Sequence, residues 1–250
     1  MIYEKLKPNS AVRSALVTPQ AAPVAVDEAS AALARSVAAG TGFADLLATR
    51  IADLTGYQDA AYAHRYAEEV RRVAAIAAAR AGDAAGERVG AAYARGLHRL
   101  MAYKDEYEVA RLHLDPVETA RRDAAFGPDA RVSVMLHPPV LRALGMNRKI
   151  ALDGRLAAPA FRALRAARRL RGTPLDVFGR AGVRRVEREL VGEYQTLVRA
   201  ALDHLVPDTV EAVVEVAGTA ELVRGYEDVK LGNVERFREQ ARAALDALTG

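Results

Sequence analysis

"LMAYKDEYEVARLHLD", residues 100–115, is the stretch on which the reading of this chain turns. Taken as a helix at about 100° per residue, it sets Leu97, Lys104, Tyr107, Arg111 and Leu114 within about 60° of Leu100, while Val109 points away. Two cations thus share an apolar face. Glu108 lies at the edge of that face, one turn from Lys104 and three residues from Arg111, so a Lys–Glu–Arg network against Tyr103 and Tyr107 is geometrically available. Two readings stay open: a paired network under the domain surface with tyrosine hydroxyls as further partners, or a charged pocket that receives another subunit. The same pattern predicts one helix from about Glu87 to Asp115, with Pro116 ending it or opening a new first turn.

Upstream, Thr41 reads as an N-cap before Phe43, Leu47, Ile51 and Leu54 at helical spacing. Tyr62, Tyr66, Val70, Val73 and Ala77 line one face of a second helix, which Gly82 stops. Downstream, residues 157–171 read as a basic amphipathic helix and "TPLDVFG" as a turn. Val183, Leu190, Tyr194, Leu197 and Ala201 mark a long helix, Asp208 with Glu211 a capping box, and Val234, Phe237, Ala241 and Leu248 a last helix.

Two regions break the helical pattern. "RVSVMLH" alternates and ends at Pro138-Pro139, and "RKIAL" follows a "GMN" turn, so a small β-hairpin is expected near 131–152. Residues 1–40, with scattered prolines and few large apolar side chains, read as a flexible Ala/Pro-rich lead-in, with room for a short helix near Ala29 to Ala39. The expected fold is therefore mainly α, a single multi-helix domain over 41–250 with one small hairpin.

Composition narrows the chemistry. The chain has 250 residues, 51% of them hydrophobic, which is ample for a core. There is no cysteine, which removes disulfides, thiolate metal sites and a cysteine nucleophile. Every apolar run falls short of the roughly 20 residues that span a bilayer, and no signal peptide opens the chain, so a soluble cytoplasmic protein that begins at its own methionine is expected. The net charge of +4 is unevenly spread: Arg142 to Arg188 holds 13 Lys/Arg against 3 Asp/Glu, a formal +10, which leaves −6 for the remainder.

No catalytic constellation emerges from the residues. "GTGFAD" follows no strand and lacks the third glycine of a phosphate-cradling loop, and there is no Walker motif or nucleophile elbow. His64 and Glu68, one turn apart, read as a solvated pair rather than metal ligands. Arg155, Arg162, Arg165 and Arg169, at spacings of 7, 3 and 4, form one basic face that suits an acidic protein surface or phosphates; without clustered aromatics to stack bases, a protein dock fits better than a single-strand reader.

Four blocks carry a resemblance: "YQDAAYAHRY" at 57–66, "LMAYKDEYEVARL" at 100–112, "LRGTPLDVFG" at 170–179 and "VRGYEDVKLGNVER" at 223–236. In this order they resemble the C-terminal domain of large indolepyruvate ferredoxin oxidoreductases, over roughly residues 45–250. Asp228 and Gly232 depart from the pattern of the last block. The resemblance implies an enzyme that decarboxylates aryl pyruvates with thiamine diphosphate and passes electrons through iron–sulfur clusters to ferredoxin. Those cofactors bind in other domains, so no cofactor is expected in this chain. Lys104, Glu106, Arg111, Arg224 and Lys230 then stand as packing or subunit-contact residues. The expected role is a non-catalytic accessory subunit that assembles with separately encoded thiamine- and iron–sulfur-bearing subunits. A nucleic-acid or regulatory binding module and a degenerate fragment of a fused oxidoreductase are the alternatives.

Overall fold

In the computed structural model, the described residues are 3–7, 15–17, 24–38, 41–127, 131–136, 150–180, 182–225 and 227–250. In chain order they form strands β1 (Tyr3–Lys7) and β2 (Ala15–Val17) and helices α1 (Glu28–Val37), α2 (Thr41–Tyr57), α3 (Ala60–Ala81), α4 (Asp83–Met101), α5 (Glu106–His113) and α6 (Pro116–Phe126). Strands β3 (Arg131–Leu136) and β4 (Ile150–Asp153) follow, then α7 (Gly154–Ala166), α8 (Gly182–Asp203), α9 (Val210–Gly218) and α10 (Glu227–Thr249). The protein is mainly α. Where the sequence suggested one domain over 41–250, the chain divides into two compact units: a helical unit of Val24–Tyr103 and Gly182–Gly250, and a mixed unit of Met1–Pro23 and Lys104–Ala181. Helical periodicity is a local property and says nothing about which helices pack together, so it could not reveal this division.

The helical unit holds the large apolar core, in which Leu47, Ile51, Leu54, Tyr66, Val70, Leu97, Leu190, Tyr194 and Val213 are fully buried. Helix α3 starts where the Asp59 carboxylate accepts from Tyr62 N at 2.8 Å and stops at Gly82, whose φ of 89° favours glycine. Close packing of α4 on α3 depends on missing side chains: a Cβ on Gly86 would lie 2.8 Å from Ala78 Cβ, and one on Gly90 2.9 Å from Ala74 Cβ. Helix α1 also belongs here. Asp27 caps it through Ser30 N at 2.7 Å and Ala34 is fully buried, so residues 28–37 are not part of a lead-in; small side chains can pack closely without a run of large apolar residues.

The helix expected over 87–115 is two helices. It begins earlier, at Asp83, ends at Met101, and resumes at Glu106. Tertiary contacts hold the break: the Tyr62 hydroxyl donates to Met101 O and the Tyr57 hydroxyl to Tyr103 O, each at 3.1 Å. These are carbonyls that a helix terminus leaves without intrahelical partners. Asp105 then caps α5, accepting from Glu108 N at 2.9 Å. Asp115 caps α6 ahead of Pro116, accepting from Val117 N at 2.8 Å.

The mixed unit has a four-stranded antiparallel sheet in the order β2-β1-β3-β4. Residues 3–7 and 15–17, expected to be lead-in, pair with one another and β1 pairs with β3, as backbone ladders can without large apolar side chains. Strands β3 and β4 pair with Met135 opposite Ala151; the "GMN" turn expected to close them as a hairpin falls in 137–149, outside the described residues. The described apolar cluster of this unit is small: Ala110, Ala157 and Phe161, with Leu114 and Leu164 against it. Helix α7 ends at Ala166 and continues as a 3₁₀ turn to Leu170. The continuous α-helical face expected to carry Arg155, Arg162, Arg165 and Arg169 therefore stops before Arg169.

Candidate functional site

With so little apolar surface, the mixed unit is organised by a buried polar network between two stretches that lie far apart in sequence. Arg171 donates to Asp105 through two nitrogens, at 2.5 and 2.8 Å, and both side chains are only 3% exposed. One Asp105 oxygen therefore both caps α5 and receives a guanidinium N–H. The Arg171 guanidinium also lies over the Tyr107 ring, 5.4 Å from its centroid.

Asp176 is the second anchor. One carboxylate oxygen accepts from Gly179 N at 2.9 Å and the Tyr107 hydroxyl at 3.3 Å, the other from Gly172 N at 2.8 Å. Gly172 adopts a φ of 75°, which allows the turn. Burial, followed by the Asp176 carboxylate, pushes the Tyr107 phenol up to about 12. Phe178 meets the Tyr107 ring edge-on at 5.2 Å. The loop from Arg171 to Gly179 is thus tied at both ends and in the middle.

The residues singled out in the sequence divide between the two units. In the mixed unit, buried Glu108 is held by Arg111 through two N–H bonds of 2.8 and 2.7 Å. Lys104 lies in the irregular stretch before α5 and is half-buried; with no helix between them, it does not stack one turn before Glu108. In the helical unit, Tyr103 and Lys230 come together, the Lys230 ammonium 5.9 Å from the Tyr103 ring centroid and the Arg184 guanidinium 5.6 Å from it. Both cations bind Glu187, which is buried, Arg184 at 2.7 Å. Arg224 is not part of this group. It is exposed, donating to Glu221 O at 2.7 Å. Arg162, Arg165 and Arg169 are exposed, and the side chain of Arg155 lies outside the described residues. Glu68, exposed like His64, is bound by Arg71 at 2.6 Å.

Asp105, Arg171, Asp176, Arg184 and Glu187 were not legible as site residues. A signal existed for Asp105, since Asp-x-x-Glu at 105–108 is a capping pattern, and Gly172-Thr173-Pro174 marks a turn. Nothing in an arginine-rich run distinguishes Arg171 from its neighbours. The charges of these networks are matched internally, so their chemistry is that of a scaffold. Among the described residues no three His, Asp or Glu side chains converge as a metal site, and no helix is long and apolar enough to cross a membrane.

A family model described as a family of unknown function, DUF6537, matches residues 43–243. The chain belongs to the DUF6537 family. No curated protein and no solved structure matches it. The DUF6537 match runs through both units, so the buried network of the mixed unit and the tyrosine-bound break after α4 both lie inside the family's span.

Proposed function

We propose that this DUF6537 chain is a non-catalytic assembly element of a 2-oxoacid:ferredoxin oxidoreductase, resembling the C-terminal domain of the indolepyruvate enzymes. Its work is to hold in place the parts that carry thiamine diphosphate and iron–sulfur clusters. The observation that supports this is the meeting of two resemblance-bearing blocks: "MAYKDEYEVARL" supplies Asp105 and Tyr107, and "RGTPLDVFG" supplies Arg171 and Asp176. Residues spent on a self-neutralised scaffold that shapes a surface loop suit a structural role. The exposed Arg162, Arg165 and Arg169 suit an anionic partner. Within this reading β3 and β4 are the arms of a small hairpin near 131–152, and the compartment is the cytoplasm.

The test is a tagged pull-down of the full chain from its native host under low salt, with partners identified by mass spectrometry and assayed for aryl-pyruvate oxidation. Recovery of a thiamine- and iron–sulfur-containing oxidoreductase is the expected result. Turnover of an aryl pyruvate by the purified chain alone, or partners of unrelated chemistry, would overturn the proposal. Loss of all binding on nuclease treatment would favour the nucleic-acid alternative.

A further inference from the structure

The loop at 170–180 directs apolar side chains into solvent from a frame that is already rigid. Leu175 is 70% exposed and Val177 56%, while Asp176 between them is buried. This alternation follows from the bonds that draw the Asp176 carboxylate inward to Gly172 N, Gly179 N and the Tyr107 hydroxyl. Leu170, at the loop's start, is exposed as well. Apolar tips on a pre-ordered backbone lose little conformational freedom on binding, a property of protein-recognition anchors.

The surroundings carry one sign of charge. Residues 154–180 contain seven arginines and a single acid, Asp176, which is buried. Arg171 is neutralised by Asp105. Arg162, Arg165, Arg169 and Arg180 are exposed, and Arg180 reaches back along the loop to donate to Pro174 O at 3.4 Å.

We propose that Leu175 and Val177, with these exposed arginines, form a docking element for a partner protein whose contact surface is acidic around an apolar centre. The proposal deepens the assembly reading above and rests on it. Nucleic acid is the poorer fit, because the exposed tips are aliphatic and the loop's one aromatic ring, Phe178, is half-buried against Tyr107, leaving nothing to stack a base. A second copy of this chain is also the poorer fit, since the same basic surface would face itself.

The test places a photo-crosslinking benzophenone amino acid at position 175 or 177 of the full chain in its native host, with position 229 as the control, since Val229 of the helical unit is 67% exposed. Both loop positions are expected to capture one and the same protein through a peptide flanked by several carboxylates, and position 229 is not. Reversing charge with R162E, R165E and R169E together should lower capture from position 175 at least about tenfold with an unchanged melting curve. The proposal is overturned if the loop captures no protein, a second copy of the chain or a nuclease-sensitive target, if position 229 captures the same protein equally, or if charge reversal has no effect. The two readings can fail separately. Recovery of an oxidoreductase by pull-down without loop crosslinking defeats the docking element alone. Loop capture of an acidic protein unrelated to thiamine or iron–sulfur chemistry defeats the assembly reading while the docking element stands.

Discussion

Replacing Arg171 by methionine would expose how far the mixed unit depends on ionic rather than apolar cohesion. Methionine keeps much of the side-chain volume but leaves the Asp105 carboxylate, 3% exposed, with the backbone N–H of Glu108 and no cation. Breaking one side of a buried pair costs about 3–5 kcal/mol, and the contact of Arg171 with the Tyr107 ring is lost with it. At 1.4 kcal/mol per tenfold, that opens the unit about a hundredfold or more. Because the chain has two units, a single melting temperature would mix them; hydrogen exchange read by mass spectrometry on peptides from α5 and α7 isolates the effect, with α3 as reference. The partner substitution Asp105→Asn keeps an acceptor for the cap while removing the charge, so D105N/R171M should recover about 0.5–3 kcal/mol relative to the sum of the single variants. Protection in R171M within about threefold of wild type, or strictly additive losses in the double variant, would refute the reasoning.

Three further outcomes are expected. A Cβ on Gly96 would run into the Tyr194 hydroxyl and lie 2.7 Å from its ring carbon, whereas one on Gly192 meets nothing within 4 Å; in urea titrations Gly96→Ala should destabilise the helical unit by about 1–3 kcal/mol and Gly192→Ala should stabilise it by about 0.5–1 kcal/mol. Glu187→Ala should cost about 3–5 kcal/mol by leaving two buried cations unmatched, and Lys230→Met only about 1.5–3 kcal/mol, because Arg184 still holds Glu187; equal losses in thermal denaturation would count against the arrangement. The Tyr107 phenol is raised to about 12, so its stabilising contribution is complete below the unfolded value of about 10 and disappears as pH climbs towards about 12. Tyr107→Phe should therefore flatten the alkaline loss of protection in α5, and an unchanged pH profile would contradict that origin.

How much was legible can be traced through particular residues. The buried face of α3 follows from Tyr66, Val70, Val73 and Ala77 at helical spacing, and all four are buried. The pairing of Glu108 with Arg111 was open to inspection as a contact within one helix. Lys104 misled because Met101 to Asp105 contains neither proline nor glycine, while the hydroxyls that terminate α4 come from Tyr57 and Tyr62, about forty residues earlier.

The sequence by itself determined the mainly helical character, the faces of the individual helices and the resemblance of its blocks, because periodicity, capping and motif spacing are local and written in neighbouring residues. Only the tertiary structure decided that Asp105 meets Arg171 across 66 positions, that Tyr103 belongs with Lys230 while Tyr107 belongs with Asp176, and that the chain makes two units rather than one. A buried charge must find its counter-charge wherever the fold brings one, and that choice is set by packing across the whole chain rather than by any short window of it.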